Sequence, residues 1–187
     1  TGAPIVANGV LISGMAGGES TTRGFLDGWD PETGKKLWRR YTIPAPGEPG
    51  SETWPANSDA WTQGGGPTWR SGSYDPDLDL VYWGTGNPSP DSFGDARPGD
   101  NLYTDSVVAL DVDTGTLRWH YQFTPHDVHD WDAVQVPILA DLTINGAPRK
   151  VLMTANRNGF FYTLDRTNGA LLRARPFVKT TWAQEVG

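Results

Sequence analysis

The sequence predicts an all-β protein that forms part of a β-propeller, and two observations carry this prediction. The first is composition: the 187 residues include 23 Gly, 15 Pro and 9 Trp, and so many turn residues and indoles favour short strands. The second is a recurring hairpin with aspartate, glycine and tryptophan at fixed spacing. Its copies are Asp30-Gly34-Trp38, Asp111-Gly115-Trp119 and Asp165-Gly169, the last with Arg173 in place of tryptophan.

The chemistry of this hairpin explains why it recurs. The aspartate caps the turn, the glycine takes a positive φ, and the returning strand carries the indole. One hairpin cannot bury its own apolar face, so the repeats imply neighbouring sheets that stack. Long insertions between hairpins suit four-stranded propeller blades. A stacked sandwich would explain the hairpins but not the recurring register. Because three or four blades are too few to close a ring, we expect a central portion of a larger propeller.

The segments around these hairpins complete the predicted order. Residues 4–7 and 10–13 are predicted to pair across an Asn-Gly turn. The segments 42–60 and 87–104 are rich in proline, glycine and polar residues, which indicates surface loops. Between them, residues 64–69 are predicted to enter a strand.

Composition excludes several classes of function. The chain has 15 basic and 22 acidic side chains, a net charge of −7, and no basic run, so a nucleic-acid partner is not expected. No apolar stretch reaches the length of a transmembrane helix. The absence of cysteine excludes disulfides and thiolate metal sites and leaves the cellular compartment undecided.

The stretch HDVHDWDAV, residues 126–134, is the strongest candidate for chemistry. Its carboxylates, on Asp127, Asp130 and Asp132, repel one another unless a cation or a proton lies between them, which favours a metal. Asp130 and Asp132 are two apart, so in extended backbone they share a face. The alternative is a solvated acidic loop. Apolar flanks on both sides instead favour a loop between two strands, where site residues tend to lie.

Other loops also carry one conspicuous polar group each. Glu19 follows two glycines, Asn87 follows Thr-Gly, and Arg157 precedes Asn-Gly. Two carboxylates with an amide oxygen suit Ca²⁺ or a larger trivalent ion and do not suit zinc. Trp69 follows Gly-Gly-Gly-Pro-Thr, where backbone can approach closely, and its indole could support a flat ligand. Each residue alone has a plain structural explanation, and it is their combination that indicates a site.

Five stretches of the chain, in order, resemble one enzyme family. They are AGGESTTRGFLDGWDPETGKKLWR, DAWTQGGGPTW, SYDPDLDLVYWGTGNPSP, TPHDVHDWDAVQ and NRNGFFYTLDRTNG. Together they resemble the catalytic subunit of the pyrroloquinoline-quinone (PQQ)-dependent alcohol dehydrogenases of the methanol and ethanol dehydrogenase type, which are eight-bladed propellers. The resemblance implies that residues 1–187 form about three to four blades of a quinoprotein catalytic domain.

The resemblance also implies a metal site. Glu19 and Asn87 match the family's metal-binding glutamate and asparagine. Asp130 stands at the position of the catalytic aspartate, which also binds the metal. Asp132 occupies a position whose aspartate accompanies lanthanide-using members and is typically replaced in calcium-using ones. A Ca²⁺ or lanthanide ion is therefore expected, with the lanthanide favoured by Asp132.

Cofactor contacts follow from the same resemblance. Trp69 matches the indole beneath the quinone ring, and Arg157 matches the arginine that contacts the quinone oxygens and assists catalysis. Ala16, Gly17 and Gly18 match the segment that lies against the cofactor.

Three residues depart from the family pattern. Ala16 replaces a serine that hydrogen-bonds the cofactor in many members, His129 replaces a tryptophan, and Asn156 replaces a common aspartate. The details of cofactor contact and the substrate preference therefore stay open.

The function implied is oxidation of a small primary alcohol to an aldehyde. Electrons would pass to a cytochrome c or a membrane quinone, in the periplasm, and homo-oligomerisation is left open. The fragment alone is expected to be inactive. One alternative is a cofactor-free propeller scaffold of the outer-membrane assembly type, which has no need of the carboxylate and amide set. Another is a PQQ enzyme that acts on sugars or polymeric alcohols.

Overall fold

The protein consists of three four-stranded antiparallel sheets, in a computed structural model that describes residues 2–186. In each sheet the strands lie side by side in the order of the chain. The first sheet contains β1 (Ile5–Ala7), β2 (Val10–Ser13), β3 (Phe25–Trp29) and β4 (Lys36–Tyr41). The second contains β5 (Ser73–Asp75), β6 (Leu80–Gly84), β7 (Ser106–Asp111) and β8 (Leu117–Gln122). The third contains β9 (Ile138–Ile144), β10 (Ala147–Ala155), β11 (Phe160–Asp165) and β12 (Leu171–Pro176).

Helix is confined to three short 3-10 turns within residues 2–186. They are Ser51–Thr53, Ala60–Gln63 and Gly94–Ala96. The all-β prediction is therefore confirmed. No helix in the described part of the chain is long and apolar enough to cross a membrane.

The predicted hairpin turns form with the expected chemistry. Asn8 and Gly9 have φ values of 47° and 77°, as the tight turn between two paired strands requires. In the first repeat, the Asp30 carboxylate accepts the backbone N–H of Glu32 at 2.9 Å, and Gly34 has a φ of 70°. The aspartate and glycine of the repeat are thus explained by the turn itself.

The tryptophans of the repeat join neighbouring sheets. Trp38 donates its indole N–H to the carbonyl oxygen of Val112 at 2.9 Å. Its ring lies so close to Gly115 that a Cβ there would come within 2.5 Å of the indole. Trp119 lies in the same way against Gly169 of the third sheet, where a Cβ would come within 2.6 Å of its ring. The Asp-Gly-Trp register therefore sets how consecutive sheets dock, as the repeats predicted.

The second sheet is buried on both faces between its neighbours. Along β6, Val81 and Trp83 pack into the core shared with the first sheet. Leu80 and Tyr82 point the other way, into the core shared with the third sheet. This alternation follows from the two-residue period of a strand, and it explains why β6 is apolar throughout.

The two segments predicted to be surface loops are partly buried, so that prediction is wrong for their key residues. In residues 87–104, Arg97 and Asn101 are completely buried. In residues 42–60, Trp54 is only 6% exposed. Polar side chains can be buried here because they find hydrogen-bond partners inside the protein, which polarity of sequence alone does not reveal.

Residues 64–69 form no strand, contrary to the prediction. Gly65 and Gly66 have φ values of 77° and 64°, a left-handed backbone that does not continue a ladder. Gly65 instead makes isolated bridges to Arg23 and Pro88. The glycines therefore bring three chain segments together just before Trp69.

Candidate functional site

All the candidate site residues lie in connections at the same end of the strands, opposite the hairpin turns. This end of the sheets is called the site edge. In a four-stranded antiparallel meander, the connection after the second strand and the connection after the fourth strand lie at one edge, opposite the hairpin turns. The connections concerned are β2–β3, β4–β5, β6–β7, β8–β9 and β10–β11. They carry, in that order, Glu19, Trp69, Asn87, the pair Asp130 and Asp132, and Arg157.

Asp132 is the side chain around which the others gather. Its Oδ1 accepts the backbone N–H of Asn87 at 3.2 Å and the indole N–H of Trp69 at 3.5 Å. Its Oδ2 lies 3.3 Å from Nη1 of Arg157. Only 6% of Asp132 is exposed, so its carboxylate points inward, to where three other connections meet.

The environment of Asp132 opposes a lone negative charge. Burial raises the pKa of its carboxyl above the ordinary value. The hydrogen bonds from Asn87 and Trp69 and the charge of Arg157 act in the opposite direction, and Glu19 raises the pKa further. A cation at this position would favour the ionised carboxylate over the acid.

Gly86 makes room for this carboxylate. A Cβ at Gly86 would lie 2.2 Å from Oδ1 of Asp132 and 2.8 Å from Cγ of Pro67. Because any side chain there would push the carboxylate away, Asp132 can reach the Asn87 amide only while residue 86 is glycine.

Asn87 presents a buried oxygen that has no partner. Its side-chain N–H donates to the carbonyl of Pro88 at 3.0 Å, while Oδ1 has no hydrogen-bond donor in the described structure. Leaving such a group unpaired costs about 1 to 3 kcal/mol. An amide oxygen is a good ligand for a hard cation, so the donor set at Asn87 and Asp132 fits the ion expected from the sequence.

The three aspartates of residues 126–134 separate into two roles. The Asp127 carboxylate accepts the backbone N–H groups of His129 at 2.9 Å and of Trp131 at 2.8 Å, so it shapes the loop. Asp130, with a φ of 58°, has no side-chain hydrogen bond within residues 2–186. Burial and the nearby Asp132 raise its pKa, whereas Arg157 lowers it. The sequence argument from three crowded carboxylates is therefore wrong for Asp127.

Glu19 stands apart from this group. It is exposed and lies in a cleft of about 430 Å³ that also contains Asp59 and Asp91. It affects the pKa of Asp130 and Asp132 through space without a hydrogen bond to either. Within residues 2–186 no three acidic or histidine side chains converge as a complete metal cage.

Trp69 and Arg157 line a common cavity of about 380 Å³ beside Asp132. The segment predicted to lie against the cofactor is also at this edge: Ala16 is exposed, Gly17 is half-buried, and Gly18 is buried against Pro67. The structure thus brings Asn87, Trp69, Asp132 and Arg157 together, and leaves their roles as predictions.

Three residues near the site were missed by sequence reasoning. They are Gly86, Arg97 and Asp105. Asp105 is completely buried, neither of its carboxylate oxygens has a partner among the described residues, and burial raises its pKa well above the ordinary value. The only signal in the sequence was the position of Gly86 directly before Asn87.

Known proteins share this arrangement of sheets. The chain is 49% identical over its whole length to the quinohemoprotein alcohol dehydrogenase ADH IIB of Pseudomonas putida, of which it covers 29%. It is 40% identical over its whole length to the lanthanide-dependent methanol dehydrogenase of Methylacidiphilum fumariolicum, of which it covers 33%. A solved structure of a europium-containing methanol dehydrogenase superimposes on the whole chain with a TM-score of 0.93 and 40% identity, and the chain covers 35% of it.

The chain therefore spans about a third or less of the length of these relatives. Residues 1–175 match the PQQ family, described as the β-propeller domain of glucose, ethanol and alcohol dehydrogenases. The match agrees with the docked sheets and with the order of the site-bearing connections. This chain belongs to the PQQ β-propeller family of glucose, ethanol and alcohol dehydrogenases.

Proposed function

We propose that the full-length protein containing this chain is a PQQ-dependent dehydrogenase that oxidises a primary alcohol to an aldehyde. The observation that carries the proposal is the buried Asp132 carboxylate, bonded to Asn87, Trp69 and Arg157 next to the unpartnered Asn87 oxygen. The names of the similar proteins, alcohol and methanol dehydrogenases, support the same reaction class.

The residues that would hold the ion are Glu19, Asn87, Asp130 and Asp132. All four offer oxygen, which suits Ca²⁺ or a lanthanide. When bound, PQQ supplies the two-electron acceptor, and the ion polarises its carbonyl as a Lewis acid. A fourth oxygen side chain with full negative charge at Asp132 favours the trivalent ion by Coulomb attraction.

The chain's own groups account for the remaining requirements. Asp130 accepts the proton of the alcohol hydroxyl as a general base. Arg157 stabilises negative charge on the quinone oxygens. Trp69, which lines a cavity together with Arg157, would support the flat ring of the cofactor and fix its orientation.

The proposed electron acceptor is a cytochrome c or a membrane quinone, and the proposed location is the periplasm. The family resemblance supports both. A small alcohol is the proposed substrate, and a sugar or polymeric alcohol is the runner-up because it would use the same chemistry. A cofactor-free scaffold is disfavoured, since it would have no use for an inward carboxylate beside an unpartnered amide oxygen.

A stacking test addresses the cofactor directly. Trp69→Ala in the full-length protein should weaken PQQ binding and dye-linked alcohol oxidation, because loss of the indole removes about 1 kcal/mol or more of stacking, together with ring orientation. PQQ binding is measured by absorbance titration. Trp61→Ala, which removes another half-buried indole outside this cavity, is the control. If Trp69→Ala binds PQQ and turns over like the parent, Trp69 is a packing residue only.

A second test fills the space that Gly86 leaves for the Asp132 carboxylate. Gly86→Ala should lower the affinity of the PQQ-loaded protein for La³⁺ by about tenfold or more, as expected when a supporting contact of a metal ligand is lost. Gly9→Ala is the control for a general loss of stability: an alanine is strained at its φ of 77°, but a Cβ there meets nothing within 4 Å and the turn does not touch Asp132. Calorimetric titration gives both affinities. Unchanged affinity in Gly86→Ala would mean that the position of Asp132 does not matter to the ion.

A further inference from the structure

Arg97 is a completely buried cation whose guanidinium joins two connections of the site edge. It lies in residues 87–104, between β6 and β7. Within that segment its Nε donates to the carbonyl of Pro90 at 2.8 Å, Nη2 to the carbonyl of Asp91 at 2.7 Å, and Nη1 to Oδ1 of Asn101 at 2.9 Å. Its Nη2 also donates to the carbonyl of Asp127, between β8 and β9.

The buried charge of Arg97 is supported in an unusual way. It forms no ion pair with a carboxylate among residues 2–186, and all four of its acceptors are neutral oxygens. Asp127, Asp105 and Asp91 stabilise its charge only through space. Burying a cation without a paired carboxylate is costly.

The contact between Arg97 and Asp127 is linked to the backbone on both sides of the candidate ligand Asp130. The Asp127 carboxylate holds the backbone N–H groups of His129 and Trp131, which flank Asp130. His126 is fixed to the same partner segment, because its backbone N–H donates to the carbonyl of Asp100 at 3.2 Å. His126 and Asp127 are therefore held by residues 97–101, and the Asp127 carboxylate in turn holds residues 129 and 131.

The other end of the Arg97 segment is Asn87, the second candidate ligand. The guanidinium thus links the chain between β6 and β7, which carries Asn87, to the chain between β8 and β9, which carries Asp130 and Asp132. A planar group with fixed donor directions can set such a spacing, whereas the flexible ammonium of a lysine cannot.

We propose that Arg97 is a positioning residue, which fixes residues 126–131 relative to Asn87 and thereby sets the affinity of the site for its ion. The inference rests on the proposed function only in taking Asn87, Asp130 and Asp132 as ion ligands. It assigns Arg97 no contact with substrate, cofactor or ion.

The test is a Tb³⁺ titration of the full-length PQQ-loaded protein, followed by tryptophan-sensitised luminescence. Arg97→Lys keeps the positive charge but loses the planar set of N–H donors. It should lower Tb³⁺ affinity about 10- to 100-fold. Arg166→Lys is the matched control, because Arg166 is also buried and lies in the hairpin turn at the opposite edge. It should lower the thermal midpoint and leave Tb³⁺ affinity within about twofold, as for residues with no shared partners.

Parent-like Tb³⁺ affinity in Arg97→Lys would overturn the proposal, and so would an equal loss in Arg166→Lys, since affinity would then follow stability in general. If Arg97→Lys does not fold, Asp127→Ala tests the next link: it keeps the backbone carbonyl that accepts from Arg97 and removes the carboxylate that holds His129 and Trp131, so it should show the same loss. Unchanged affinity in that variant would also overturn it. A parent that binds Tb³⁺ without oxidising alcohols contradicts the proposed function alone. A parent that binds no Tb³⁺ overturns the inference alone if it oxidises alcohols with PQQ and Ca²⁺, and overturns both if it does not.

Discussion

Asp132→Ala should abolish lanthanide-dependent alcohol oxidation in the full-length protein reconstituted with PQQ. The carboxylate is buried and faces Asn87, Trp69 and Arg157, so it lies where an ion between these connections would feel its charge. At about 4 Å and an effective dielectric constant of about 20, each unit of ion charge gains about 4 kcal/mol from one carboxylate. A trivalent ion therefore loses more than Ca²⁺ when this carboxylate is removed.

The measurement compares dye-linked oxidation of a primary alcohol with La³⁺ or Ca²⁺, in the parent and in Asp132→Ala. We expect the parent to require La³⁺ and the variant to lose that activity. Asp95→Ala is the control, since it removes an exposed carboxylate from the neighbouring connection without touching Asp132. Equal activity with Ca²⁺ in the parent and in Asp132→Ala would remove Asp132 from the ion site and leave a calcium enzyme.

Arg166→Met should cause the largest loss of stability, about 3 to 5 kcal/mol, because it leaves a buried carboxylate without its partner. Nε of Arg166 lies 2.5 Å from Oδ2 of Asp75, and both side chains are buried. Its Nη1 also donates to the carbonyl of Ala140 at 2.7 Å and to Asp141 at 2.8 Å. Because Asp75 belongs to the second sheet and the other groups to the third, the arginine ties two sheets together.

The loss is measured as a lower midpoint of urea unfolding at unchanged slope. Arg118→Met is the control: its pair with Asp111 is 2.7 Å long but exposed, and such pairs contribute about 0 to 1 kcal/mol. The double variant Asp75→Ala, Arg166→Met should lose less than the sum of the single losses, because neither charge is left unpaired. Additive losses would show that the pair does not act as a unit.

The docking of the sheets could be predicted from the sequence because its determinants are local. Asp30 and Gly34 supply the side-chain acceptor and the positive φ that a single turn requires. The same spacing recurs, and Trp38 and Trp119 each pack against a glycine of the next sheet. Each residue type is explained within about ten residues of chain, so the pattern is visible without knowing which sheets are neighbours.

The interior of the site edge could not be predicted in this way. Arg97 looks like a surface charge in a proline- and glycine-rich segment, because its acceptors are neutral oxygens of the same segment and of the Asp127 backbone, which no sequence pattern marks. Asp127 resembles a metal ligand until its carboxylate is found on the amides of its own loop. Gly86 reveals its role only when Asp132, 46 positions later in the chain, is placed above it. These properties depend on tertiary contacts, which composition and residue spacing do not reveal.

The arrangement of the candidate site residues could be predicted in part. The sequence predicted that Asn87, Asp132, Trp69 and Arg157 would meet, and they do, since every second connection leaves the same edge. The exposed position of Glu19, by contrast, follows from the shape of the glycine-rich connection after β2, which residue types alone do not specify.

The most direct test of the account is the position of the ion. A crystal of the full-length protein with PQQ and Eu³⁺ should give an anomalous difference peak about 2.3 to 2.6 Å from Oδ1 of Asn87 and from the Asp132 carboxylate, the distance range of hard cations of this size. A peak confined to the cleft of Glu19, Asp59 and Asp91, with Asn87 and Asp132 bonded only to protein, would contradict it.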